Sequence, residues 1–106
     1  MPEVSKIEDS PAVTFVQYQI AAHEALGNFR EQFDTDTYWE ARLNLVSEVE
    51  EKLLELLVPA EGRAVHFELV SALEIIKQGL AGQSEKLVEG QERLEKIFSE
   101  NPWLIE

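Results

Sequence analysis

The chain has 106 residues, with 21 acidic and nine basic residues, which gives a net charge of -12. This length is typical of a single domain, and an apolar content of 44 % predicts a packed core rather than disorder. The absence of cysteine excludes disulfides and thiolate chemistry, and the scattered basic residues disfavour direct nucleic-acid binding.

The amino-terminal residues 1–10 are predicted to be a loose lead-in, without the basic and apolar pattern of a signal peptide. The longest stretch without charge runs from Ser10 to His23 and is interrupted by Gln17 and Gln19. It is too short and too polar to cross a membrane, which takes about 20 apolar residues. We therefore expect a cytoplasmic protein without a membrane partner.

Apolar residues recur at helical spacing almost throughout the chain, which predicts an all-α fold. The first helix is expected over residues 11–33, started by Ser10-Pro11 as N-cap and first helical residue. The second is expected over residues 38–58, with Asp36 or Thr37 as its cap. Its predicted core stripe comprises Trp39, Leu43, Val46, Leu53 and Leu57.

The second half of the chain contains two more predicted helices. A third helix is expected over residues 61–80 after the sequence PAEG, and a fourth over residues 84–99, before an apolar tail at 100–106. Short connections make consecutive helices antiparallel. The prediction is one domain, an antiparallel up-down-up-down four-helix bundle. The alternative has three long helices, with a short fourth packed across an end or swapped in a dimer.

The stretch LVSEVEEKLLELL, residues 45–57, contains four glutamates. At about 100° per residue, Glu48, Glu51 and Glu55 lie opposite the apolar stripe of the second helix. Charged residues on that side of an amphipathic helix face solvent. These three residues are therefore predicted to form an exposed acidic surface.

Glu50 differs from the other three glutamates because it lies inside the apolar stripe, as Arg42 does near the stripe's other edge. A buried carboxylate requires a partner or an altered pKa. Arg42 is two turns away along the helix, so the partner of Glu50 is expected on another helix, at Arg63 or His66. Glu50, Arg42 and His66 are thus the candidate buried polar residues.

Catalytic and cofactor motifs are absent from the sequence. The histidines match neither the E-x-x-H nor the H-E-x-x-H pattern, the serines lack the G-x-S-x-G context, and the glycines form no phosphate-binding loop. We therefore predict no enzyme, no cofactor and no metal site.

One spacing resembles a known metal site. Glu48-x-x-Glu51 is similar to the first half of the magnesium site in all-α nucleotide pyrophosphohydrolases of the MazG kind. The E-x-x-D pair that this family carries on a later helix is missing, since no aspartate follows Asp36. A divalent-metal-dependent hydrolase of nucleotides is accordingly kept only as the second alternative function.

Apolar residues outside the main helix stripes indicate a contact surface. A bundle helix needs one apolar face, and further apolar lines suggest a partner. The candidate interface residues are Val13, Val16, Ile20, Phe67, Trp103 and Leu104. The alternative is that the apolar tail folds back over these surplus apolar residues within one chain.

The leading functional prediction is therefore a protein that acts by protein–protein contact. It would be an adaptor, chaperone or regulator that binds another protein or itself as a homodimer. The first alternative is a charge-mimic inhibitor or immunity-type protein, whose acidic face would cover a basic nucleic-acid-binding cleft.

Overall fold

The computed structural model describes residues 14–35 and 38–106, and every regular element within these ranges is helical. The all-α prediction is confirmed. The α-helices are α1 (Phe15–Leu26), α2 (Phe29–Thr35), α3 (Trp39–Leu54), α4 (Arg63–Leu80) and α5 (Ser84–Glu100). Short 3-10 turns at Ala60–Gly62 and Pro102–Leu104 precede α4 and follow α5.

The helix predicted over residues 11–33 is two helices in the structure. α1 begins at Phe15, because Thr14 is its N-cap and forms a reciprocal capping box with Gln17. Gly27 then ends α1 with a φ of 53°, in a conformation that favours glycine. The predicted start at Ser10-Pro11 lies outside the described residues, and the Gly27 break was not predicted.

The second predicted helix is shorter than expected. α3 ends at Leu54 rather than at Val58, and its N-cap is Tyr38, which makes no side-chain capping bond. The expected caps Asp36 and Thr37 lie outside the described residues. Pro59 accounts for part of the early end, because the residue before a proline is disfavoured in helical conformation.

α4 and α5 are antiparallel and closely packed. Gly79 of α4 lies against Leu87, whereas Ile76 and Ala72, earlier in α4, lie against Gly90, later in α5. α5 has 17 residues and packs along α4, so it is not a short helix placed across an end.

The remaining helices complete the predicted up-down-up-down order. Glu50 of α3 contacts Lys77 near the end of α4, while Leu54 lines a groove with Phe67 near its start, so α3 is antiparallel to α4. α1 and α2 together take the place of the first of the four predicted bundle helices and are called the first arm. Tyr18 contacts His66, and Phe33 lines a second groove with Ile76, so this arm runs parallel to α4.

One apolar core joins these helices and includes the carboxyl-terminal 3-10 turn. Leu104 of that turn is fully buried, and Phe29 and Phe33 of α2 pack against each other within the core. The buried apolar residues are Tyr18, Ala22, Ala25, Leu26, Phe29, Phe33, Val46, Val49, Leu53, Leu69, Ala72, Leu73, Ile76, Leu94, Ile97, Phe98 and Leu104.

Candidate functional site

Glu50 is buried, and its partner is Lys77 of α4. The Lys77 ammonium donates a hydrogen bond to Glu50 Oε1 at 2.8 Å and also lies 3.4 Å from a carboxylate oxygen of Glu74. This hydrogen bond with Glu50 raises the pKa of Lys77. The predicted partners, Arg63 and His66, were wrong, because the antiparallel register of α3 and α4 places Glu50 near the end of α4 rather than its start.

Arg42 is half-buried and connects α3 to α2. Its Nε donates a hydrogen bond to the Phe33 carbonyl oxygen at 3.0 Å, and its guanidinium lies 4.5 Å from the centre of the Phe33 ring. Both contacts hold the end of α2 against the start of α3. These contacts are consistent with a structural role for Arg42.

His66 is half-buried beside Tyr18 in an aromatic cluster. The Tyr18 hydroxyl and His66 Nδ1 are 2.9 Å apart, and Tyr18 also packs against Phe15 and Trp103. Burial lowers the pKa of His66 and raises the pKa of Tyr18. The cluster therefore favours the neutral forms of both side chains.

This arrangement predicts that the free energy of unfolding falls as the pH drops below about 6.5, the ordinary pKa of histidine. Above that pH the imidazole is neutral in both states. Below it, the unfolded chain takes up a proton that folded His66 binds less readily, so folding is disfavoured. Urea unfolding between pH 7 and 5.5 should show a shallower loss of stability for His66→Asn than for the wild type. Equal slopes would contradict this prediction.

An apolar groove lies between the carboxyl-terminal end of α3 and the amino-terminal half of α4. Its volume is about 620 Å³, and the surface that it exposes is apolar. Phe67 is 72 % exposed and Leu54 is 61 % exposed, so neither is part of the core. The groove is lined by Leu54, Val58, Arg63, Ala64, His66, Phe67 and Val70.

Sequence reasoning identified Phe67 but missed Leu54. The signal was available, because Leu54 immediately follows the core residue Leu53 and so lies at the edge of the α3 stripe. The predicted core stripe of the second helix extends too far at both ends. Trp39 and Leu57 were predicted to be core residues, but they are 50 % and 47 % exposed. Leu57 lies beyond the last residue of α3.

The other predicted interface residues fall into two groups. Val16 and Ile20 lie one turn apart on α1 and are exposed, whereas Val13 lies outside the described residues. Leu104 is fully buried and Trp103 is half-buried, so the prediction that they form an exposed interface was wrong.

The tail folds back within the chain because Pro102 starts a 3-10 turn. This turn brings the Leu104 carbonyl oxygen to 3.1 Å from His23 Nδ1 and the Trp103 ring against Phe15.

Three acidic residues near the carboxyl-terminal end of α3 are exposed, and none of them lines the groove. Glu48, Glu51 and Glu55 all face solvent. Glu51 lies about one turn before Leu54, and Glu55 is the C-cap residue that follows Leu54. Glu48 and Glu51 thus lie on the exposed side of α3. Within residues 14–35 and 38–106, no group of three histidine or acidic side chains is placed to hold a metal ion.

Comparisons with protein-family models, curated proteins and solved structures give no significant match. In residues 14–35 and 38–106, no helix combines the length and apolar character needed to span a membrane. A functional interpretation therefore depends on the surface described above.

Proposed function

We propose that this protein acts by contact with another protein, as an adaptor, chaperone or regulator, and that the α3–α4 groove is its binding surface. The observation that supports this proposal is the exposure of Phe67 and Leu54 on an apolar groove. Contiguous exposed apolar surface is typical of interaction sites. Burying it in a complex contributes roughly 25 cal/mol for each Å² removed from water.

The position of Phe67 on α4 supports a role in binding rather than in folding. α4 already buries a complete stripe through Leu69, Leu73 and Ile76. Phe67 points away from that stripe and adds little to the core. An exposed aromatic residue beside a groove is the kind of side chain that contributes most of the energy of an interface.

The partner is either another protein or a second copy of this chain. Val16 and Ile20 offer a smaller exposed apolar pair on α1, which a homodimer or a large partner could also cover. In either case the groove residues would supply the centre of the contact. The exposed charges around them would mainly affect association rate and partner selection.

The variant Phe67→Ser is expected to weaken partner binding at least tenfold, which corresponds to about 1.4 kcal/mol, with little effect on stability because Phe67 is exposed. The matched control is Val88→Ser, at an apolar position of α5 that is 54 % exposed. Light scattering would measure self-association, and quantitative affinity capture from the native lysate would measure partner binding. Equal behaviour of the two variants and the wild type would contradict the proposal.

A charge-mimic protein is the second candidate, and it is favoured by the exposure of Glu48 and Glu51 on α3 and of Glu55 at its C-cap. In this case replacement of the three glutamates by glutamine would abolish binding to a basic cleft, and Phe67→Ser would leave it unchanged. The two candidates are therefore distinguished by which set of variants loses the partner.

A further inference from the structure

We infer that binding at the α3–α4 groove is coupled to the protonation of His66, so that the partner is bound at neutral pH and released on acidification. This inference rests on the proposed function, because it concerns the regulation of the same groove. His66 lines the groove and is also hydrogen-bonded to the buried Tyr18, so a change in its charge affects both surroundings.

Among the described residues that line the groove, His66 alone can change its charge between pH 5 and 8. Arg63 also lines the groove, but an arginine side chain remains protonated throughout this range. The surface that the groove exposes is apolar, so neither side chain presents a polar atom there. Protonation of His66 would therefore place a charge directly beside this apolar surface.

The hydrogen bond with Tyr18 favours the neutral imidazole. Tyr18 is 1 % exposed, and its hydroxyl oxygen lies 2.9 Å from His66 Nδ1. In the neutral tautomer that carries its hydrogen on Nε2, Nδ1 accepts a hydrogen bond from the Tyr18 hydroxyl. An imidazolium carries a hydrogen on both ring nitrogens, so the hydroxyl hydrogen would lose this acceptor. A polar group left without its partner inside the protein is unfavourable.

The other groups around His66 do not compensate for a positive charge. Tyr18 of α1 stays neutral, because burial raises the pKa of its hydroxyl. Arg63 precedes His66 by about one turn of α4, and Leu54 is the residue of α3 that lines the groove. No carboxylate lines the groove within the part of the chain that the structure describes. In agreement with these surroundings, burial lowers the pKa of His66.

Binding of an apolar partner surface would strengthen this preference for the neutral form. His66 is half-buried in the free chain, and covering the groove removes further water from its ring. Desolvation disfavours the charged form, so the pKa of His66 is lower in the complex than in the free chain. The affinity is therefore constant while both forms are neutral. It falls below about pH 6.5, where the free chain takes up a proton that the complex binds less readily.

The test uses the full chain and an uncharged apolar dye, N-phenyl-1-naphthylamine, whose fluorescence increases when it leaves water. Fluorescence titration would measure the dissociation constant of the dye at pH 7.5 and 5.5, and circular dichroism would verify the fold at both pH values. Dye bound in the groove is identified by its loss in Phe67→Ser and its retention in Val88→Ser, at an exposed position of α5.

The dissociation constant of the groove-bound dye is expected to rise about threefold or more between pH 7.5 and 5.5 in the wild type. His66→Asn does not titrate, so its dissociation constant should be the same at both pH values. The matched control is His23→Asn, because His23 is the second of the two histidines and does not line the groove. This variant should keep the wild-type pH dependence. Nuclear magnetic resonance should show the His66 titration moving to lower pH when the dye saturates the groove.

The outcomes separate this inference from the proposed function. Equal dye affinity at both pH values in the wild type, or a pH dependence that persists in His66→Asn, would overturn the coupling. The absence of dye binding that depends on Phe67 would also overturn it, because the groove would then not accept an apolar ligand. The proposed function fails separately, if Phe67→Ser loses the dye but retains the native partner.

Discussion

Replacing Lys77 by methionine is expected to lower the free energy of unfolding by about 3 kcal/mol, at the lower end of the range for a broken buried ion pair. The ammonium of Lys77 is the hydrogen-bond partner of Glu50, whose side chain is only 8 % exposed. Methionine has a similar length but no charge, so the Glu50 carboxylate would remain between α3 and α4 without its cation. The side chain of Lys77 is 31 % exposed, and partial access of water limits the loss.

Urea unfolding at neutral pH, followed by circular dichroism, measures this effect. The matched control is Lys96→Met, because Lys96 is 76 % exposed and its ion pair with Glu100 is a surface contact of 3.9 Å. Such pairs contribute about 0–1 kcal/mol. The double variant Glu50→Leu/Lys77→Met should recover most of the stability, since it leaves no buried charge. A loss for Lys77→Met no larger than that for Lys96→Met would contradict the prediction.

The second large effect is expected at Gly79, where alanine should destabilise the protein by about 1–2 kcal/mol, the cost of overpacking less the gain in helix propensity. Helix propensity alone predicts the opposite sign, because alanine is favoured over glycine inside a helix by roughly 1 kcal/mol. A Cβ atom at Gly79, however, would overlap backbone atoms of Leu87 in α5. α4 and α5 would have to move apart, and the cost of such overpacking is typically about 1–3 kcal/mol.

Gly90 provides an independent check on the same interface. A Cβ atom there would lie 2.6 Å from Ile76 Cγ1 and 2.9 Å from the Ile76 backbone nitrogen, so Gly90→Ala should also be destabilising. Ser99→Ala, at an exposed position of α5, serves as the control and should change the free energy of unfolding by less than about 0.5 kcal/mol. Thermal and urea unfolding would measure all three variants. Stabilisation by Gly79→Ala would show that α4 and α5 are not in close contact there.

The sequence was sufficient to predict the all-α class and the order of the helices, because the apolar spacing and the breakers are local signals. The broken first arm was missed because Gly27 stands inside a continuous helical pattern, and a single glycine does not reveal that its φ is positive. Pro59 predicted that the second helix ends before residue 59, but no local signal marks its end at Leu54, because the apolar run continues through Leu57.

For the candidate site residues too, some positions could be predicted from the local sequence and others could not. The exposure of Phe67, Val16 and Ile20 could be predicted from one helix at a time, because each residue departs from the apolar stripe of its own helix. Leu104 could not be assigned in this way. The local sequence shows only that Leu104 belongs to an apolar tail. Leu104 is buried because the Pro102–Leu104 turn packs onto α1.

By itself, the sequence determined the helical periodicity, the acidic character of the surface and the presence of one glutamate within an apolar stripe. These properties depend on residues a few positions apart. Only the tertiary structure decided that Lys77 pairs with Glu50 and that Leu54 and Phe67 border one groove. The physical reason is that these contacts depend on the register between α3 and α4, which the packing of the whole core determines.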